Sequence, residues 1–338
     1  MTLTQPGLAR PTCCRGAPGW QALRGSAPEP SLAALMRARP DARSLDADAE
    51  TLALFLPLFE RASASTIGPH ALINQRGGYG PAQLAGRPPR GHGGRICLRL
   101  AAGQGETLVG TGAVPALRQP AALHLFDVAG ELVHRAELAA PEDLAVLEAV
   151  TAQLGPRMAP LTAPLPEVPR RVPVPSLPAI RQARAGWWKT APHQHLDALM
   201  ADGGPRRAHC LPHLGGGAAR RVDPRGLRAF AGHLARMALP FSRAVPRPGC
   251  LQTHAGPVEL LSPEGTLLLL HSGPSLMALE LSAVAACWRT RWADGGGCRT
   301  MLELYDAGGM CLALLGPDTA GCTAGRRAWE RLAETLPG

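Results

Sequence analysis

The amino-acid sequence predicts an α+β protein formed by tandem structural duplication, with two antiparallel-sheet units that each carry flanking helices. The first observation is a constant offset: residues 123–130 (LHLFDVAG) resemble residues 302–309 (LELYDAGG), which lie 179 positions later. Residues 72–77 (LINQRG) and 251–256 (LQTHAG) are separated by the same 179 positions. The second observation is the order of patterns, since strand-like runs fill the middle of each unit and helix-like runs lie at its ends.

Helical patterns open and close each repeat. The opening helices are predicted at residues 49–61 and 226–237. The closing helices are predicted at residues 141–155 and 320–334, where Leu144 and Leu147, and likewise Trp329 and Leu332, recur at helical spacing. These closing segments are again 179 positions apart.

Strand patterns lie between the helices. Ile96, Leu98 and Leu100 alternate with arginine and cysteine, which is the period of a half-buried strand. The segments DVAG (127–130) and DAGG (306–309) interrupt apolar runs with residues that favour turns, so each predicts a hairpin.

A proline-rich stretch marks the domain boundary. Residues 163–178 (APLPEVPRRVPVPSLP) contain six prolines in sixteen positions, so they favour extended backbone and cannot continue a helix. We therefore predict a first repeat at 42–162 and a second repeat at 179–338, which carries the ligand residue proposed below. The segment 1–41 is rich in proline and glycine and is expected to be poorly ordered.

The composition excludes several classes of protein. Hydrophobic residues make up 46% of the 338 positions, which is inconsistent with wholesale disorder. The net charge of +9 suggests nucleic-acid binding as an alternative function, but 34 of the 35 basic residues are arginine, which is typical of a GC-rich genome. The sequence contains no helix-turn-helix, RNA-binding or zinc-finger signature, and no Walker or nucleophile-elbow motif.

The cysteines and the N-terminus predict a cytoplasmic location. The first 16 residues (MTLTQPGLARPTCCRG) lack the apolar core of a signal peptide, and no apolar run approaches the ~20 residues of a membrane span. The nine cysteines are odd in number and form no C-x-x-C pair, so free thiols in a reducing compartment are expected.

Histidines follow the linker closely and suggest two kinds of metal chemistry. His193, His195, His209 and His213 could supply the four ligands of a zinc site, although their spacing is not typical of one. A single neutral imidazole could instead bind haem iron, with arginines holding the propionates. Spacing alone leaves both possibilities open.

Three segments of the second repeat carry a family resemblance. Residues 249–258 (GCLQTHAGPV) are similar to the signature G-C-[IV]-Q-I-[HF]-T-G-P-V, and residues 287–291 (CWRTR) and 302–306 (LELYD) fall where A-W-V-V-[RK] and L-E-L-F-D are found. These are motifs of the bacterial hemin-degrading and hemin-transport family, the HemS/HmuS/ChuS group. The first repeat resembles it more weakly, through residues 123–127 (LHLFD) and 131–134 (ELVH), and the likeness spans about 42–335.

The resemblance implies a cytoplasmic haem-binding protein that handles imported haem. Its cargo or substrate would be haem b, received from an inner-membrane ABC haem importer and held in a cleft between a sheet and helical loops. Members of the family carry haem or degrade it oxidatively to release iron. On this interpretation no nucleic-acid partner and no transmembrane segment are expected.

The resemblance also implies the site residues. The family's axial histidine lies in W-x-x-x-T-D-V-H-Q-F-F, which here reads WWKTAPHQHL (187–196); alignment on Thr190 selects His193, and an ungapped count from Trp188 selects His195 as the reserve. Three further family positions carry arginine or another basic residue near haem. They fall on Arg99, on Arg206 with Arg207 as its alternative, and on Arg291.

Departures from the family concern the oxygen chemistry. The [YF]-G-x-R segment, which places an aromatic ring and an arginine beside haem, reads LGPD at 315–318, and the aromatic position after the Arg99 strand is Ala101. Because distal donors influence O₂ activation, their loss puts haem degradation in doubt more than haem binding. The sequence therefore leaves the enzymatic activity open.

Overall fold

The computed structural model describes residues 31–87, 94–101, 107–117, 119–156, 175–264, 266–295, 297–318 and 321–338. Two large sheets dominate this part of the chain, and helices pack on their faces and edges. The helices are α1 Leu32–Ala38, α2 Ala49–Phe55, α3 Pro141–Leu154, α4 Leu177–Gly186, α5 Pro192–Asp202, α6 Pro205–Cys210, α7 Leu227–Arg236 and α8 Thr323–Glu334. The strands are β1 Arg43–Leu45, β2 Ala62–Ile67, β3 Ala71–Gly77, β4 Gln83–Leu84, β5 Cys97–Leu100, β6 Thr107–Thr111, β7 Ala121–Phe126, β8 Leu132–Leu138, β9 Ala219–Val222, β10 Phe241–Arg247, β11 Cys250–Gly256, β12 Leu260–Glu264, β13 Leu267–Ser272, β14 Ser275–Glu280, β15 Ala286–Asp294, β16 Gly297–Tyr305 and β17 Cys311–Pro317.

The duplication is visible element by element. A shift of 179 residues moves β3 onto β11 and β8 onto β17 without any change of boundary. The same shift places α2 within α7, and α3 over α8. The predicted fold class, α+β with two sheets related by tandem duplication, is therefore confirmed.

The two sheets exchange strands between the repeats. The nine-stranded sheet has the order β1-β6-β7-β8-β2-β3-β14-β13-β12, so strands of the second repeat complete the sheet of the first. The eight-stranded sheet has the order β4-β5-β11-β10-β17-β16-β15-β9, so β4 and β5 of the first repeat complete the second. The ladder between β4 and β5 is parallel, and the other ladders of named strands are antiparallel. The exchange places Arg99 of β5 in the sheet that carries most of the second repeat.

The sheets pack against each other where β2 and β3 meet β10 and β11. Gln252 on β11 is fully buried there; its Nε2 donates to the Ala64 carbonyl at 3.3 Å, and its Oε1 accepts from Thr66 Oγ1 at 3.0 Å. Helix α8 covers the same face of the eight-stranded sheet further along, with Trp329 buried between Phe230 and Phe241. The opposite face of that sheet is left to α5 and its neighbours.

Local sequence explains the turns that the sequence analysis predicted. Asp127 Oδ1 accepts from the backbone of Ala129 at 2.8 Å, and Gly130 has φ +75°. In the second repeat Asp306 Oδ1 accepts from Met310 N at 2.8 Å, and Gly309 has φ +82°. Glycine reaches this left-handed conformation without the steric cost that a Cβ imposes, so both hairpins turn at the same place.

Several boundaries differ from the expectation. The first opening helix, expected over 49–61, ends at Phe55 and gives way to one 3₁₀ turn, Leu56–Leu58, because Pro57 cannot donate the next helical hydrogen bond. Within the segment expected to be poorly ordered, Leu32–Ala38 is a helix capped by Ser31; residues 1–30 lie outside the described residues. Most of the expected linker is also outside them, and α4 begins at Leu177, where Pro178 is tolerated in the first turn.

Two further observations concern the sequence expectations about membranes and cysteines. Across the described ranges, no helix combines the length and the apolar character needed to cross a membrane. None of the seven cysteines in the part of the chain that the structure describes forms a disulfide.

Candidate functional site

Helix α5 carries the candidate ligand across one face of the eight-stranded sheet, where it contacts β10, β11 and β15. Its start is fixed by Pro192 in the first turn and by Gln194, whose Oε1 accepts from Ala191 N at 2.8 Å. It ends at Gly203 and Gly204, which have φ +78° and +110°. A Cβ on Gly204 would lie 2.9 Å from the Cβ of Cys311, so the turn into α6 fits closely against the sheet.

His193 lies in the first turn of α5 and is half-buried. Within the described part of the chain, no residue bonds to either ring nitrogen of His193. A half-buried imidazole of this kind has the donor chemistry of an axial haem ligand. The residue selected by the alignment on Thr190 is therefore placed where a ligand could reach it.

Arg99 is tied to the same helix one turn further on. Its side chain is 1% exposed; Nε donates to Asp197 Oδ1 at 2.7 Å, and Nη1 donates to the Arg87 carbonyl at 2.9 Å. Asp197 follows His193 by four positions, so the two side chains lie on one face of α5. As predicted, Arg99 lies on the strand face opposite Leu98, which belongs to the core between the sheets.

His195 occupies a different environment from His193. It is 2% exposed and stacks between Trp187 and Trp292, with ring centroids 4.6 Å and 4.7 Å away. Arg207 Nη1 donates to its Nδ1 at 3.0 Å, which leaves the proton on Nε2, a buried atom without a partner among the described residues. Burial, with the charge of Arg207 in addition, lowers the pKa of His195 to about 3. The reserve ligand, His195, is thus a neutral core residue on the buried face of α5.

Arg207 and Glu303 form the centre of this buried polar cluster. Arg207 donates from Nε to Oε2 and from Nη2 to Oε1 of Glu303, both at 2.6 Å, and the Glu303 side chain is fully buried. Glu303 also accepts from Thr290 Oγ1 at 2.5 Å and from Tyr305 Oη at 2.6 Å. Burial alone would raise the pKa of Glu303, but the ion pair and these hydrogen bonds hold it well below its ordinary range. The carboxylate therefore stays ionised and anchors α6 to β16.

The remaining predicted arginines lie in two different places. Arg206, at the start of α6, is 75% exposed, and its Nε lies 3.6 Å from Asp202 Oδ2. Arg291 donates from Nη2 to Glu334 Oε1 of α8 at 2.9 Å, which places it on the opposite face of β15 from Trp292. The structure therefore gathers His193, Arg99, Arg206 and Arg207 around α5 and α6 and leaves Arg291 on the other side of the sheet.

The four histidines proposed as a zinc site are not assembled into one. Nδ1 of His195 faces the guanidinium of Arg207, and Nδ1 of His209 lies 2.8 Å from the Pro205 carbonyl. Throughout the described ranges, no group of three or more His, Cys, Asp or Glu residues could hold a metal ion. The zinc alternative is not favoured.

Sequence reasoning missed the residues that hold the site together. Asp197 and Glu303 were not singled out, and neither were Trp187 and Trp292 as the walls around His195. One signal was available: Glu303 lies in the apolar segment MLELY, where a strand buried on both faces requires a partner for any charge. The identity of that partner, 96 positions earlier in the chain, had no such signal.

Comparison with known proteins agrees with this architecture. Residues 204–336 match the family model of the haemin-degrading HemS.ChuX domain. Among solved structures, holo-PhuS, a heme-binding protein from Pseudomonas aeruginosa, is 25% identical over 88% of this chain and 87% of that chain, with a TM-score of 0.69. ChuS, a heme oxygenase from E. coli, has the same fold at 20% identity, with 90% of each chain covered and a TM-score of 0.69. A search of curated protein sequences finds no match.

The family model covers the strands and helices from Gly204 onward, and the structural match to holo-PhuS covers 88% of this chain. Residues 204–336 of this chain are accordingly similar to the haemin-degrading HemS.ChuX domain, and the chain as a whole is similar in structure to PhuS.

Proposed function

We propose that this chain is a cytoplasmic haem-binding protein that handles imported haem. The observation that carries the proposal is the match of residues 204–336 to the haemin-degrading domain model. It is supported by 25% identity to holo-PhuS across nearly the whole length of both chains. The nucleic-acid alternative has no comparable support, because the excess charge is spread over arginines that form local ion pairs in several places.

His193 is the residue that we assign as the iron ligand. It is half-buried near the beginning of α5, and its ring nitrogens have no partner among the described residues. His195 is less suited to the role, since a ligand would have to displace the aromatic stack and the donor from Arg207. Bound haem supplies its own redox chemistry; the protein supplies the ligand, the orientation and the surrounding charge.

Arg206 is the arginine best placed for a propionate. Its side chain is mostly exposed and is held only by a loose contact with Asp202, so an anionic group could recruit it at little cost. Arg99 supports the site through Asp197, and Arg207 through Glu303. Arg291 already pairs with Glu334 on the opposite face of the sheet, so its substitution serves as an internal comparison.

Hemin titration of the purified chain tests the proposal. We expect a saturable Soret band at one equivalent, weakened or shifted by His193→Ala and left intact by His233→Ala, which changes an exposed histidine of α7. Arg291→Ala should leave binding unchanged. An unchanged spectrum in His193→Ala would remove that residue from the proposal, and absence of saturable binding by the unmodified chain would overturn the function itself.

Degradation can be measured in the same sample. Adding a reductant and O₂ to the hemin complex, with and without catalase, separates ring opening at the site from damage by released peroxide. Loss of the Soret band only without catalase would indicate carriage of haem without enzymatic cleavage. Loss that persists with catalase would assign a haem-degrading activity despite Ala101 and the LGPD segment.

A further inference from the structure

Arg243 on β10 is a fully buried arginine whose charge has no close counter-ion. Its Nη1 donates to the Gly256 carbonyl at 3.3 Å, and its guanidinium lies 5.3 Å from the ring centroid of Phe241. Its Nε and Nη2 have no hydrogen-bond partner in the described part of the chain. These two N–H groups share one edge of the planar guanidinium, which is the edge that binds both oxygens of a carboxylate.

The surroundings of Arg243 are polar on both sheets. Arg243 pairs with His254 across β10 and β11, and His254 Nε2 lies 3.3 Å from Ser272 Oγ on β13. Ser272 pairs with Ser275, which in turn pairs with Gln75 on β3. Ser275 Oγ and Gln75 Oε1 are also buried without a partner among the described residues. We call these five residues the Arg243 cluster.

The cluster lies on the inner side of the eight-stranded sheet, away from α5. Phe241 and Val245, two positions either side of Arg243, belong to the core between the sheets. Ala244 and Leu251 belong instead to the core beneath α5. The Arg243 cluster is thus separate from the candidate haem site, and its chemistry does not depend on the proposed function.

Arg243 carries the buried positive charge of the cluster, and the carboxylate that acts on it, Glu259, belongs to an exposed residue. Burial lowers the pKa of Arg243 to about 10, partly opposed by the carboxylate of Glu259, so the guanidinium is still charged at neutral pH. Burial, together with Arg243, lowers the pKa of His254 to about 4, so that imidazole is neutral. His271 is also nearby, and burial lowers its pKa as well. A buried charge is costly unless an opposite charge and hydrogen bonds accompany it.

We propose that the Arg243 cluster binds a small planar oxyanion of the carboxylate or bicarbonate class between the two sheets. The ligand would place two oxygens on Nε and Nη2 of Arg243. The hydroxyl groups of Ser272 and Ser275 are the neutral hydroxyl donors of the same cluster. A halide offers one atom to both N–H groups, so both hydrogen bonds are bent, whereas the two oxygens of a carboxylate accept one nearly straight bond each.

Calorimetric titration with formate, bicarbonate and nitrate, at constant ionic strength with chloride as the single-atom control, tests the site. We expect saturable one-to-one binding of formate or bicarbonate together with a rise in Tm. In Arg243→Met the affinity should fall about tenfold or more. Arg225→Met, which removes the same charge from a side chain that is 93% exposed, should bind as the unmodified chain does. Equal binding of chloride, or absence of saturable binding by the unmodified chain, would overturn the proposal.

A variant of Glu259 distinguishes a bound ligand from an internal partner. If an external anion occupies the Arg243 edge, Glu259→Gln should bind formate at least as tightly as the unmodified chain, because a competing negative charge has been removed. Suppose instead that Glu259→Gln lowers the free energy of unfolding as much as Arg243→Met does, and that the double variant loses no more than either single variant. Glu259 itself is then the counter-ion of Arg243, and the proposal fails. The formate affinity of Glu259→Gln is compared with that of the unmodified chain alone, so this result tests the proposal even if Arg243→Met does not fold; a clear loss of formate binding in Glu259→Gln would contradict it.

Discussion

Arg207 and Glu303 form a two-armed ion pair beneath α6, with 2.6 Å at each arm and no part of the carboxylate exposed. Replacement of Glu303 by Gln removes the charge that holds Arg207 and weakens the acceptors for Thr290 and Tyr305. Breaking a buried pair in this way should lower the free energy of unfolding by about 3–5 kcal/mol. Urea denaturation would measure it.

The matched control is Glu334→Gln, which removes one carboxylate from the exposed pair with Arg291. Solvent screens that pair, so its loss should cost about 0–1 kcal/mol. Similar losses in the two variants would mean that the buried pair contributes no more than a surface pair.

Asp197 connects Arg99 to the helix that carries His193. Asp197→Asn should leave Arg99 buried without its counter-ion and should weaken both stability and hemin affinity, because α5 loses its tie to β5. Thermal unfolding and hemin titration would report the two effects separately. Glu60→Gln, in an exposed pair with Arg95, is the control. Unchanged hemin affinity in Asp197→Asn would show that the tie does not position the ligand.

Acid should destabilise the protein from about pH 6.5 downward. Burial lowers the pKa of His124, His134 and His195 to about 3 in the folded chain, from an ordinary value of 6.5. The unfolded chain therefore binds more protons than the folded chain between these values, so stability is lost as pH falls. Each such histidine contributes a slope of about 1.4 kcal/mol per pH unit.

Stability measured between pH 7 and pH 5 in the unmodified chain and in His134→Gln would test this. In His134→Gln the slope of the unfolding free energy against pH should decrease by the contribution of one histidine, about 1.4 kcal/mol per pH unit. His233→Gln, which changes an exposed histidine, should not alter that slope. A slope near zero in the unmodified chain would contradict the assignment of neutral buried imidazoles.

Gly204 tests the fit of the turn between α5 and α6. Gly204→Ala places a Cβ 2.9 Å from the Cβ of Cys311 at a φ of +110°, so both contact and backbone conformation are unfavourable. The loss should be roughly 1–3 kcal/mol or more. Gly215→Ala has a positive φ but no atom within 4 Å of the new Cβ, so it measures the backbone contribution alone. Equal losses in the two variants would show that the contact with Cys311 is relieved.

The duplication could be predicted because the same apolar spacing recurs at one constant offset. The segments 123–130 and 302–309 turn at equivalent aspartates and glycines in both repeats. The exchange of strands could not be predicted, since β5 and β14 have the same pattern whichever sheet they join. The packing of the whole molecule decides which strand each of them pairs with. For example, Leu100 of β5 lies opposite Cys250 of β11, a strand of the other repeat.

The candidate site was predictable in part for a similar reason. Resemblance selected His193 and Arg99, and the structure brings both to α5. Spacing could not separate His193 from His195, because only the tertiary position of Trp292 decides which ring is enclosed. The orientation of Arg291 depends on the phase of β15, in which Thr290 and Trp292 face Glu303 and their neighbours face α8.

The reciprocal exchange of strands has a consequence for how the molecule loses its structure. If the first repeat unfolds, β4 and β5 leave the second sheet, and β11 is left with an exposed edge. If the second repeat unfolds, β14, β13 and β12 leave the first sheet, and β3 is left with an exposed edge. Neither half can therefore melt while the other remains intact, and heating should give one cooperative transition with a calorimetric enthalpy that matches the van't Hoff enthalpy, as in a single small domain.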